Sequence, residues 1–217
     1  MTINDLQYGN PDRRNQHYLS QTSYLDSLLD ELKSYSFSAN DSEETKSEIA
    51  ELISTTNELA NSNNEELFRR FDIYDKAFEE YMSQSLVKSG ISLPEVDMLL
   101  QSVKQDIKPL LVKLKYHFQR PRPYQLSKML DLELISFSSV AADSPSYPSG
   151  HTFQSRVYAE VLGNAYPQFH KALHELATDI MWSRIYLGLH YPSDCQYADY
   201  VAQVVCSHPE FKKKYKL

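Results

Sequence analysis

Glycine is scarce in this chain, with 5 in 217 residues, while long segments are rich in Leu, Glu, Lys, Gln and Ala. A sheet fold with many tight turns draws on glycine where φ is positive, so the balance favours helices. Cysteine is almost missing: Cys195 and Cys206 fall on one predicted helix, roughly 16 Å apart along its axis, too far for a disulfide. Two thiols are also a poor framework for a metal. Positive charge is in short supply, and a formal net charge of -7 argues against general nucleic-acid binding, which needs a broad basic face. Any anionic ligand must be drawn by a local basic cluster. No run of roughly 18 apolar residues is present to span a bilayer, and Met1 to Leu6 lack the basic start and apolar stretch of a secretory signal. The expectation is a cytoplasmic protein with no membrane span.

At 41% hydrophobic residues the chain can build one core of good size. Residues 1–20 are polar and read as an arm, and 21–217 as a single helical domain. Leu25, Leu28, Leu29 and Leu32 follow helical spacing, and Ser34 to Asn40 break it. Ser42, Glu43 and Glu44 open a second helix, and a third runs from about Asn64 to Lys88, ended by Gly90. These helices, over 21–90, show no constellation that points to chemistry. Ser92 and Glu95 have the capping-box spacing, with Pro94 in the first turn. The helix they start carries Leu99, Leu100, Val103, Ile107, Leu110, Leu111 and Leu114, with a bend expected at Pro109. A core over 92–206 holds everything that looks functional.

Three stretches stand out there. Ser183-Arg184 is followed by Gly188, His190, Pro192 and Asp194. Proline suits a first helical turn, so His190 falls just before a helix N-terminus, where free N–H groups and the dipole favour an anion. Upstream, Lys113 to Pro123 packs five basic groups, ending Arg120-Pro121-Arg122-Pro123. The two arginines precede prolines and are biased to extended geometry, which points both the same way and makes a basic edge. Between them, Pro148-Ser149-Gly150-His151 precedes a helical pattern running to about Ala165. Ser149 is the expected cap, and Gly150 leaves its N–H open to an anion.

Together these stretches resemble the type 2 phosphatidic acid phosphatase superfamily, which includes soluble bacterial non-specific acid phosphatases and vanadium haloperoxidases. The motifs are Lys115 with Arg122-Pro123, then Pro148-Ser149-Gly150-His151, then Ser183-Arg184 with His190 and Asp194. Lys113 with Arg120-Pro121 has the same spacing. Lys115 lies about 80° from the centre of the apolar stripe and Lys113 about 120° on the other side, which favours Lys115. Arg120 then becomes an accessory residue.

The resemblance implies an all-α helical bundle of the acid phosphatase and vanadium-dependent haloperoxidase type, holding one phosphate. It implies that Lys115, Arg122, Ser149, Gly150 and Arg184 bind phosphate and that His190 is the nucleophile, giving a phosphohistidine. Asp194 would orient His190, and His151 would act as acid and then base, so the two imidazoles must differ in protonation. It further implies a small phosphorylated substrate, no metal or other cofactor, and vanadate as an inhibitor. The alternatives are a vanadate-dependent haloperoxidase and a non-catalytic phosphate-binding scaffold. The N-terminal helices are compatible with a homo-oligomer.

Overall fold

Polar caps and prolines set the helix boundaries in the computed structural model, which describes residues 2–217. In chain order α1 spans Arg13–Ser20, α2 Leu29–Lys33, α3 Glu43–Asn61, α4 Glu65–Val87 and α5 Leu93–Phe118. They are followed by α6 Pro123–Met129, α7 Gly150–Ala165, α8 His170–Tyr186, α9 Pro192–Ser207 and α10 Pro209–Tyr215. No strand occurs among the described residues, and the fold is all-α. Ser42 and Asn64 accept from the N–H groups of Thr45 and Leu67 and so cap α3 and α4. Ser92 stands at the cap position of α5 but makes no capping bond. Pro94 marks that start instead, since its missing N–H is not needed in a first turn. The helix continues through Pro109 and stops at Gln119, which takes the left-handed conformation.

The polar segment expected to be an arm is packed against the rest. α1 lies along α5, the Tyr8 N–H donates to the Gln119 carbonyl at 2.9 Å, and buried Asn40 donates to the carbonyls of Ile3 and Leu6. Backbone carbonyls rather than an apolar stripe hold much of it, so hydrophobic periodicity carries little trace of it.

α7 is the central helix. Phe153, Val157, Tyr158, Val161 and Leu162 are buried, and so are the small polar Thr152 and Ser155. It packs on α8 and α9, and also on α4 and α5. A second apolar cluster joins Ile49 and Leu52 of α3 to Leu126 of α6, Ile185 of α8 and Cys195 of α9. Both cysteines are free thiols. Residues 130–149, between α6 and α7, have no regular structure. A loop of that length inside a packed domain is often functional. No helix among the described residues is long and apolar enough to cross a membrane.

The turn from α8 to α9 depends on Gly188. Its φ is +67°, and a Cβ there would lie 2.7 Å from the Ile135 carbonyl oxygen and 3.1 Å from Thr56 Cγ2. Gly90 also has positive φ, at +89°, but a Cβ there meets nothing within 4 Å. Gly90→Ala should therefore cost only the left-handed conformation, about 1 kcal/mol or roughly 3 °C in Tm. Gly188→Ala adds a clash with backbone and should lower Tm at least about twice as far. Equal shifts in thermal denaturation would show that the 130–149 loop yields freely.

Candidate active site

The middle of α4, the second half of α5, the first turn of α7, the 130–149 loop, part of α1 and His190 just before α9 surround a cavity of about 300 Å³. Lys115, Arg122, Gly150, His151 and His190 line its wall. Arg120, Ser149, Arg184 and Asp194 are buried behind that wall. Lys113 leaves the site: its ammonium pairs with Asp26 at 2.7 Å. Arg120 leaves it too, so the two arginines do not form the shared basic edge that extended geometry implied.

His190 is positioned from both sides. Its Nε2 lies 2.9 Å from Arg122 Nη1, and its Nδ1 lies 3.1 Å from Asp194 Oδ2. A guanidinium only donates, so Nε2 must be the accepting nitrogen and the proton sits on Nδ1, facing the carboxylate. The Nε2 lone pair is thus held among the cations of the cavity. Burial, and next the Arg122 charge, keep this imidazole well below its ordinary pKa, so it is neutral near pH 7.

Asp194 accepts from Arg120 Nη1 at 2.7 Å, from the Tyr191 N–H at 3.0 Å and from Ser146 Oγ. Burial alone would raise its carboxyl. Arg120, followed by His190 and Ser146, outweighs that and holds it ionised far below the usual range. Arg120 also reaches Glu48 on α3, which accepts from the Ser193 N–H as well.

The cations facing the cavity have different partners. Lys115 is only 4% exposed and donates to the Pro145 carbonyl. Arg122 donates to the carbonyls of Ser144 and Leu189, each at 2.9 Å. Carbonyls satisfy their hydrogens without cancelling their charge. Burial, then Arg122, pulls the Lys115 ammonium well below its usual range. Burial, then Arg184, brings Arg122 down to about 10. In both, burial and a neighbouring cation outweigh the attraction of Asp194.

His151 also lines the cavity, its Nε2 3.2 Å from the Asp75 carbonyl. A carbonyl only accepts, so Nε2 carries the proton of the neutral ring and Nδ1 the lone pair. Burial, then Arg184, lowers this imidazole well below its ordinary pKa. Arg184 pairs with Asp75 Oδ1 at 2.8 Å, while its Nε is buried without a partner. Gly150 opens α7, and a Cβ on it would lie 3.6 Å from Lys115 Cε. Its N–H is among those a helix start leaves without an intrahelical acceptor. Ser149 stands at the cap position, but its hydroxyl accepts from Thr152 Oγ1 at 2.9 Å and caps no N–H.

Sequence reasoning missed Asp75, Glu48 and the carbonyls of the 130–149 loop. For Asp75 a signal existed. It falls in the apolar stripe of α4 with Phe71, Tyr74, Phe78 and Met82 and is buried with them. A carboxylate in such a stripe calls for a cation. Its carbonyl reaches His151 beside a break in the helix at Ala77, where φ is -150° and ψ 36°. The 21–90 helices thus do contribute to the site.

Comparison with curated proteins finds no match. A family model described as the PAP2 superfamily matches residues 99–206, about half of the chain and all of the three motif stretches. By that match the chain belongs to the PAP2 superfamily, the type 2 phosphatidic acid phosphatases, whose members are phosphatases or related enzymes.

Proposed function

We propose that this protein is a phosphatase that moves the phosphoryl group of a small phosphomonoester first to His190 Nε2 and then to water. One observation carries the reading: a neutral imidazole, its lone pair fixed by Asp194, shares a cavity with two buried cations that lack carboxylate partners. Lys115, Arg122 and the Gly150 N–H would take the phosphoryl oxygens, with Arg184 adding positive potential from behind. His190 Nε2 attacks phosphorus as the bond to the leaving oxygen breaks. Asp194 then stabilises the imidazolium phosphate. His151 gives its proton to the leaving oxygen, and takes one from the water that hydrolyses the phosphohistidine. Cationic side chains supply the charge that magnesium supplies in many phosphoryl transfers.

The cavity is larger than a single phosphate needs, which leaves room for the leaving group. Its charge grades outward along α5. Lys104 pairs with Glu79, and Arg14 with Asp143. Lys108, two helical turns from Lys115, also lines the cavity and makes no ion pair among the described residues. Burial and the neighbouring Lys104 lower its ammonium pKa. An anionic group some 10 Å from the transferred phosphate, the rise over those seven residues, would find a counter-charge there.

The phosphohistidine is the decisive test. Rapid quench in alkali after mixing with a chromogenic phosphomonoester should show a phosphoryl mass increment on the peptide holding His190, lost on acid treatment. His190→Ala should remove both the increment and turnover. A vanadate-loaded protein that oxidises halide, with no phosphatase activity before loading, would reverse the choice of reaction.

The depressed pKa of His151 gives a pH signature. In the free protein its protonated form disappears as pH rises through the lowered value, so the alkaline limb of kcat/KM should fall below the ordinary imidazole range. Bound phosphate dianion favours the imidazolium, so the alkaline limb of kcat should lie at higher pH. The low pKa of His190 keeps it unprotonated into mildly acidic solution, which places the optimum on the acid side of neutrality. Coincident limbs in the two profiles would contradict this assignment of His151.

Lys108→Ala should raise KM for substrates with a second anionic group, such as nucleoside diphosphates, by about tenfold or less. The KM for p-nitrophenyl phosphate should hardly move. Equal changes for both would remove Lys108 from recognition.

A further inference from the structure

A second cluster of ligating side chains lies well away from the phosphate cavity. Glu160 is on α7, nine residues and about 13 Å of helix beyond His151, and faces His170 and His174 at the start of α8. One ligating atom from each of the three lies within 4.8 Å of the other two. We infer that Glu160, His170 and His174 form a binding site for a divalent transition metal, zinc in the first instance, that clamps α7 to α8.

The backbone prepares this arrangement. His170 and His174 are four residues apart and share a helix face. Glu160 and Gly163 share a face of α7, and Gly163 makes room for the His170 ring: a Cβ there would sit 2.8 Å from His170 Cδ2. The imidazole rings of His170 and His174 lie 4.4 Å apart between centroids.

His174 Nε2 lies 3.3 Å from Glu160 Oε2, yet that nitrogen is buried and has no hydrogen-bond partner. The contact is close but not directed as a hydrogen bond. Two ligands about 2.05 Å from a tetrahedral zinc stand about 3.4 Å apart, so the spacing suits the edge of a coordination tetrahedron. Two imidazoles and a carboxylate are a donor set zinc accepts, with the fourth position left to water.

An open cavity of about 630 Å³ adjoins Glu160 and His174 and gives a hydrated ion its approach. Arg156 and Lys212 also line it. Arg156 is committed to Asp199, Thr178 and the His174 carbonyl, so its charge is already answered.

Metal-stripped full-length protein titrated with zinc chloride should take up one equivalent by calorimetry, with a rise in Tm. Cobalt(II) in its place should give the intense visible absorption of a tetrahedral site. His174→Ala and the near-isosteric Glu160→Gln should each weaken zinc binding by at least the roughly tenfold that loss of even an outer-shell partner costs, and remove the Tm rise. His190→Ala should leave both readouts unchanged. The proposal is overturned if zinc is not bound, or if His174→Ala and Glu160→Gln bind it as well as the parent. Loss of binding in His190→Ala instead would overturn it too, by assigning the ion to the phosphate cavity.

Discussion

The Asp194 carboxylate is the interaction on which the site depends. One fully buried group accepts from Arg120, Ser146, the Tyr191 N–H and His190. Those bonds tie the start of α9 to the loop before α7 and to the segment after α5. They also set which nitrogen of His190 is protonated. The carboxylate tolerates burial because Arg120 supplies the counter-charge, and Arg120 is stacked 3.8 Å above the Tyr191 ring and pairs with Glu48. Removing the carboxylate would do more than release an imidazole. It would leave a buried guanidinium short of a partner, which is the costly way to break a buried pair.

The buried cations divide by partner. Arg120 and Arg184, behind the cavity, are paired with Asp194, Glu48 and Asp75. Lys115 and Arg122, on its wall, donate to backbone carbonyls from the 130–149 loop and from Leu189. A carbonyl satisfies a hydrogen-bond donor but leaves its charge to act on whatever enters. A carboxylate in the same place would have competed with an anionic substrate. The loop therefore holds two cations without neutralising them, which is the preorganisation that the proposed phosphoryl transfer requires.

The stretches legible in sequence were those where chemistry and chain-breaking coincide. Pro123, Gly150 and Pro192 mark where α6, α7 and α9 start, and Arg122, His151, His190 and Asp194 sit within two residues of those starts. Helical phase also separated Lys115 from Lys113, because the apolar stripe on α5 gives each lysine a definite angle. What could not be read is what depends on contact between distant segments. A carbonyl in an irregular loop has no residue-type signature, so Pro145 and Ser144 as partners of Lys115 and Arg122 left no trace. α8 is also weakly marked: Ser183, Arg184 and Ile185 are all buried in a row, while Trp182 beside them is exposed. Such a helix has no clean amphipathic face. Asp75 was visible as a charge among aromatics, but its partner lies 109 residues away.

That distance bears on how the chain divides. The family match begins at residue 99, and on sequence alone the helices before 92 look like an addition to a complete core. Physically they are half of its charge balance. α3 supplies Glu48 to Arg120 and Ser193, and α4 supplies the Asp75 carboxylate to Arg184 and the Asp75 carbonyl to His151. Without α3 and α4, Arg184 would lose its ion-pair partner, and Arg120 would keep only one carboxylate. Each uncompensated buried charge costs on the order of 3–5 kcal/mol, against a total stability of about 5–15 kcal/mol for an ordinary domain. The segment carrying the motifs therefore cannot keep its cations buried in this arrangement alone, because α3 and α4 supply carboxylates to Arg120 and Arg184.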